Sequence, residues 1–155
     1  MNILVINIEL AEIVQGMKEK DFAGYCTPGC GPLLGLRLMA QNLGKFALVT
    51  SGGCVTGFSG TPCLKAGDAA AAAAGLSHAT GGLVVAYADS TAINLGSLIE
   101  ACCSSSFICV SYNTAEDGAY EKTLIRSVAP HARYAATASI AYPEDFVEKL
   151  AKAAS

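Results

Sequence analysis

The sequence predicts an α/β domain in three layers, with helices on both faces of a largely parallel sheet. Three observations predict it. Short runs rich in Val, Leu and Ile alternate along the chain with Ala- and Leu-rich stretches of helical length. Residues 46–50 (F-A-L-V-T) have the apolar character of a buried strand. Two such runs also end on a polar residue, Asp89 or Asn113, as strands do where an open parallel sheet gathers ligands.

The elements follow in order. Residues 10–20 have helical character. Residues 31–43 form a stronger helix, with Leu33, Leu34, Leu36, Leu38 and Met39 on and around its apolar face. Gly44 ends it as a C′ residue. The strand at 46–50 leads into a loop over residues 51–67, rich in Gly, Ser, Thr and Pro and holding Cys54 and Cys63. That loop is too long for a mere connection and is a natural place for chemistry. Asp68 caps the next helix, whose body is the alanine run 69–74. The alanines serve helix propensity and, equally, close approach to a neighbour. Residues 83–87 are a strand that ends in Ala88-Asp89-Ser90-Thr91. A helix runs from about Ile93 to Cys103, and a strand over 107–111 ends at Tyr112-Asn113. A polar loop continues to about Arg126. Residues 132–138 make a last strand, and Pro143 opens a last helix at its first position. No repeat or linker breaks this order, so residues 1–155 are expected to form a single domain.

Composition narrows the function classes. Hydrophobic residues make up 52% and charged residues 15%, which is apolar for a soluble monomer of 155 residues. Such a surface implies cover by a partner chain, hence an oligomer. The net charge is −3 and the pI about 5.3, with no basic cluster of the kind that binds nucleic acid. Lys18 and Lys20 alternate with Glu19 and Asp21, the pattern of a solvated helix face. The apolar runs fall short of the roughly 18 residues a membrane span needs. The opening Met1-Asn2-Ile3-Leu4-Val5-Ile6 lacks the basic start and cleavage site of a secretory signal. A cytoplasmic protein is expected, and there the seven cysteines would be thiols or metal ligands rather than disulfides.

Two constellations carry chemistry. Asp89 and Asn113 offer a carboxylate and an amide oxygen at strand ends, donors that suit a hard divalent cation bridging phosphates. The helix after Asp89 offers N–H groups to an anion. The geometry suggests Mg²⁺ with a diphosphate; the alternative is that Asp89 only caps a helix. In the second constellation, Cys26 and Cys30 flank Thr27-Pro28-Gly29, Cys54 follows Ser51-Gly52-Gly53, and Cys63 closes Gly60-Thr61-Pro62-Cys63. Four cysteines in such turns suit an Fe–S or Zn centre; the alternative is buried free thiols. Cys102, Cys103 and Cys109 have apolar neighbours and are expected in the core. His78 and His131 stand alone, with His78 placed to complement a helix C-terminus. The sequence shows no Ser-His-Asp grouping and no Walker A loop.

Taken together, several segments resemble the β subunit of pyruvate and related 2-oxoacid:ferredoxin oxidoreductases. They are Cys26-Thr27-Pro28-Gly29-Cys30-Gly31-Pro32, Ser51-Gly52-Gly53-Cys54, the alanine helix, Ala88-Asp89-Ser90 with Leu95-Gly96, and Tyr112-Asn113. The stretch Ala136-Thr137-Ala138-Ser139-Ile140-Ala141-Tyr142-Pro143-Glu144-Asp145 resembles that subunit's late strand and helix. The ordered likeness runs from about Tyr25 to Lys152.

The resemblance implies a thiamine-diphosphate-binding fold. It places Mg²⁺ on Asp89, Asn113 and the Ala115 carbonyl, the diphosphate in contact with Ser90 and Thr91, and the cofactor as a whole on Gly53, Asp89, Ser90, Thr91 and Asn113. It also implies a [4Fe-4S] cluster on Cys30 and Cys54, with Cys26 and Cys63 as the remaining candidates. Ala88-Asp89-Ser90 stands where the family has Gly-Asp-Gly. Thr27 stands at the first cluster cysteine, with Cys26 beside it, and the position of the family's last cluster cysteine would fall beyond residue 155. After Asn113 the chain keeps Ala119-Tyr120 and Arg126-Ser127 but lacks a family segment near the substrate.

The activity implied is oxidative decarboxylation of a 2-oxoacid, with coenzyme A as acceptor and electrons passing to ferredoxin or a ferredoxin-like subunit. An α-type subunit would supply the glutamate that activates the cofactor, so this chain alone is expected to be inactive. Two other readings stay open: a thiamine-fold scaffold or regulatory subunit without turnover, and an Fe–S or Zn module without thiamine.

Overall fold

The computed structural model of the 155-residue chain describes residues 22–24, 31–51, 55–58, 61–104, 107–113, 118–128, 130, 132–137 and 143–155. In chain order the elements are β1 (Phe22–Gly24), α1 (Gly31–Leu43), β2 (Ala47–Thr50), β3 (Val55–Phe58), β4 (Cys63–Lys65) and α2 (Ala69–Thr80). Then come β5 (Val84–Asp89), α3 (Leu95–Ser104), β6 (Ile108–Tyr112), α4 (Ala119–Val128), β7 (Arg133–Thr137) and α5 (Pro143–Ala154). A 3₁₀ turn, Ser90–Ala92, separates β5 from α3.

Five strands pair in parallel in the order β4-β2-β5-β6-β7. β1 and β3 form a separate antiparallel ribbon. Successive side chains of a strand point to opposite faces, and the two cores obey this. On one face Val85, Tyr87, Ile108, Val110 and Tyr112 meet α1 and α5 through Leu36, Met39, Phe146 and Leu150. On the other, Val84, Ala86, Ala88 and Cys109 meet α2, α3 and α4 through Ala70, Ala73, Leu98 and Ile125. Helices therefore cover both faces, and the fold is the three-layer α/β/α arrangement expected. Burying a Val, Leu, Ile or Phe side chain contributes about 1.5–3 kcal/mol. That favours the apolar run Val84–Ala88, buried throughout, at the centre of the sheet.

Tyr87 anchors α1 to that centre. A buried hydroxyl must find a partner, and its O–H donates to the Pro32 carbonyl at 2.5 Å. Its ring packs on Tyr112 with centroids 4.8 Å apart.

Helix α2 shows how its alanines are used. Asp68 caps it, its Oδ1 accepting from the Ala71 N–H at 3.1 Å. At the other end Gly81 takes φ 65 and donates its N–H to the Ser77 carbonyl at 2.9 Å. Ala69, Ala70, Ala73, Ala74 and Ser77 are buried, one face of a 3.6-residue repeat, whereas Ala71 is exposed. The run therefore does both jobs: it favours helix, and it lets α2 lie close on the sheet.

Two expectations are corrected. Residues 51–67 are not one loop, because they contain β3 and β4. β4 is an edge strand whose three residues are all exposed. Backbone pairing holds it, flanked by Leu48 N–H to Pro62 O at 2.8 Å and Ala66 N–H to Thr50 O at 2.9 Å. A strand held that way carries no buried apolar pattern to read. The polar stretch before Arg126 is likewise a helix from Ala119. Ile125 is its one buried residue among those described, and its sequence is largely polar, so little apolar burial marks it. Glu121 in its first turn and Arg126 in its last suit the helix dipole.

Smaller shifts occur elsewhere. α3 starts at Leu95 rather than Ile93, because Asn94 caps it: Asn94 Oδ1 accepts from the Ser97 N–H at 3.1 Å. Gly44, at φ 70, follows the end of α1, and α5 opens at Pro143, both as expected. The helix expected over residues 10–20 lies outside the described residues. Among the described residues, no helix is long and apolar enough to cross a membrane.

Candidate functional site

The sheet register builds the site. β5 and β6 are parallel neighbours, with Asp89 opposite Tyr112, so Asn113 emerges beside Asp89 at the carboxyl edge. Asn113 takes φ 57, a left-handed conformation that Asn enters more readily than most residues. Its Nδ2 donates to Asp89 Oδ2 at 2.7 Å. Asp89 Oδ1 accepts from the Thr91 N–H at 2.9 Å and from Thr91 Oγ1 at 2.8 Å. Ser90 Oγ donates to the Asn113 carbonyl oxygen at 2.9 Å. Asp89, Ser90, Thr91 and Asn113 thus form one hydrogen-bonded cluster across two strand ends. Thr91 and Asn113 are exposed, and Asp89 and Ser90 half-buried, so the cluster faces solvent.

The cluster's electrostatics favour an anion at Asp89. Partial burial pushes its carboxyl up, but bonds from the Thr91 N–H, the Asn113 amide and the Thr91 hydroxyl outweigh it. They hold the carboxyl below the ordinary carboxylate value. An ionised carboxylate only accepts, which fixes the Asn113 nitrogen, not its oxygen, as the atom facing it.

The hydroxyls have specific duties here. A hydroxyl carries one hydrogen. That of Ser90 goes to Asn113 and that of Thr91 to Asp89. Asp89 caps the 3₁₀ turn rather than α3, whose own cap is Asn94.

The other expected residues fall as follows. Gly53, Ala115, Cys26, Cys30 and Cys54 lie outside the described residues, as does His131. Cys63 is exposed on β4, and partial burial of its sulfur pushes the thiol up. Its register partner is Leu48, which also pairs with Val85, so Cys63 is level with Val85 rather than Asp89. β2 lies between, and strand spacings put Cys63 about 16 Å from Asp89. Cys63 is therefore not part of the Asp89 cluster. Cys109 is fully buried in the core, as expected. His78 is exposed in the last turn of α2. Among the described residues, no three His, Cys, Asp or Glu side chains gather as a metal site.

A cleft of about 340 Å³ lies elsewhere, along β7 between α4 and α5. Lys122, Arg126, Tyr134, Asp145, Glu148 and Lys152 line it, and none of them belongs to the Asp89 cluster. Two of its carboxylates pair within α5, Asp145 with Lys149 and Glu148 with Lys152, each at 2.6 Å. Beside it, burial pushes the Tyr134 hydroxyl well above its ordinary pKa; Cys109 adds to this, a hydrogen bond with Ser111 opposes it, and Glu121 adds a little.

The sequence reading missed two features of the site. The Asn94 cap had a signal, an Asn placed where its side chain reaches the N–H of Ser97. The Ser90–Asn113 bond had none, because it joins residues 23 apart that only the sheet brings together. Neither a family model, nor a curated protein, nor a solved structure matches this chain.

Proposed function

We propose that the chain is the thiamine-diphosphate-binding subunit of a 2-oxoacid:ferredoxin oxidoreductase-type complex. The observation that carries this reading is the meeting of Asp89 and Asn113 at the ends of adjacent parallel strands, the place where open α/β sheets hold ligands.

The residues fit a hard cation such as Mg²⁺. Asp89 supplies an anionic oxygen, and Asn113, whose amide nitrogen faces Asp89, would supply its amide oxygen. The donor set is oxygen-based, the preference of Mg²⁺, which completes its shell with water and phosphate oxygens. In this reading Asp89 and Asn113 hold the cation, with the Ala115 carbonyl as a third ligand.

When bound, thiamine diphosphate supplies the nucleophilic carbon that takes up a 2-oxoacid and lets CO₂ leave. The chain's own part is to hold and orient. Thr91 keeps Asp89 ionised and aimed, and the parallel register sets Asn113 beside it. A partner subunit completes the site with its glutamate, and coenzyme A and a ferredoxin-type acceptor complete the reaction. Cys26, Cys30, Cys54 and Cys63 are the candidates for a [4Fe-4S] cluster.

Anaerobic purification of the full chain, reconstituted with Mg²⁺ and thiamine diphosphate, tests this through thiamine, iron and sulfide counted per chain. The reading expects stoichiometric thiamine that Asp89→Ala removes, and iron that Cys54→Ser removes while sparing thiamine. Thiamine content that is nil, or unchanged by Asp89→Ala, overturns it. Iron without thiamine would favour a metal-binding module instead.

A further inference from the structure

We propose that Ser90 is a positioning residue that acts through Asn113, an inference that rests on the reading of Asp89 and Asn113 as cation ligands. Ser90 directly follows Asp89 and opens the 3₁₀ turn. Its hydroxyl crosses from the end of β5 to the end of β6 and donates to the Asn113 carbonyl at 2.9 Å.

Asn113 is held on two sides. Its φ of 57 lies in the left-handed region, which Asn enters more readily than most residues, and contacts at both ends hold it there. Two contacts do so from consecutive residues. Asp89 takes the side-chain amide at 2.7 Å, and Ser90 takes the backbone carbonyl. Gripped at both ends, Asn113 has both its backbone direction and its side chain fixed beside the carboxylate. Thr91 does the matching work on Asp89 through its N–H and hydroxyl.

The identity of residue 90 matters for this reason. The Gly-Asp-Gly motif that the segment resembles has a glycine at this place, and glycine has no hydroxyl to reach Asn113. The serine here adds a link between the strand ends that the glycine cannot make. Through Asn113 it shapes the ligand pair.

The test uses the ¹⁵N-labelled full chain, with Mn²⁺ and thiamine diphosphate as probes. The Asn113 side-chain amide signal, identified by its loss in Asn113→Ala, reports the bond to Asp89. Ser90→Ala and Ser90→Gly should each move that signal toward the position of a solvated Asn. They should also weaken Mn²⁺ binding about three- to tenfold, the worth of one hydrogen bond. Ser90→Thr should restore both readouts. Adding Ser90→Ala to Asn113→Ala should weaken binding no further than Asn113→Ala alone, because both act through one residue. An amide signal that Ser90→Ala leaves in place, or additive losses in the double variant, would overturn the proposal. If the wild-type chain binds no Mn²⁺ with thiamine diphosphate while Ser90→Ala still moves the signal, the hold on Asn113 stands and the cofactor reading falls.

Discussion

The Asn113 amide lies 2.7 Å from Asp89 Oδ2, although the two residues are 24 apart in sequence. Parallel pairing of β5 with β6 makes them neighbours, and the left-handed turn at Asn113 brings the side chain back to the carboxylate. An amide that donates to an ionised acceptor makes a stronger bond than a neutral pair does. This contact is the structural core of the functional reading.

It has a consequence for titration. Removing a donor with Asn113→Ala or Thr91→Val should raise the Asp89 pKa toward its ordinary value. The sign for stability follows from the depressed pKa. The folded state's advantage from Asp89 is present above the unfolded value of about 3.9 and is lost as pH falls through the lower folded value. Carboxyl ¹³C NMR through an acid titration measures it. An Asp89 midpoint unmoved in both variants would mean that these bonds do not hold the carboxylate.

Tyr134 should titrate at the opposite end of the scale. Its folded pKa is raised, chiefly by burial. The unfolded chain therefore loses that proton first. Stability from this group is full below about pH 10 and declines as pH rises above it toward the folded value. Tyr134→Phe should flatten the alkaline decline in a series of urea melts. A decline equally steep in the variant would place its cause in other groups.

The buried face of α2 should be intolerant of bulk. Ala73 is fully buried against the sheet side of the core, so Ala73→Leu overfills it and should cost about 1–3 kcal/mol. Ala71 is exposed, and Ala71→Leu should change stability by about 0.5 kcal/mol or less. Urea denaturation of both variants separates close packing from helix propensity, because propensity alone treats the two positions alike.

Tyr87→Phe tests the anchor of α1. The ring stays, so packing on Tyr112 persists, but the Pro32 carbonyl loses its donor. A loss of about 0.5–1.5 kcal/mol is expected, read by thermal melting. No loss would mean that water serves the carbonyl as well as the tyrosine does.

Legibility in the sequence followed how each element is held. β5 and β6 are covered on both faces, so their apolar runs announced them. Asp68 declared the start of α2, because a cap is a local contact. β4 was hidden, since its residues are all exposed and its stability lies in backbone pairing. α4 was hidden because it buries little, Ile125 alone among its described residues. At the site, residue types at strand ends named Asp89 and Asn113. Their meeting depended on register, and the role of Ser90 depended on a bond between strands, neither of which a linear pattern encodes.

The most direct test is calorimetric titration of thiamine diphosphate into the full chain, with and without Mg²⁺, for the wild type and Asp89→Ala. The account predicts binding that requires Mg²⁺ and disappears in Asp89→Ala, while the circular dichroism spectra of the two proteins coincide. Equal binding by both proteins, or binding indifferent to Mg²⁺, would contradict it.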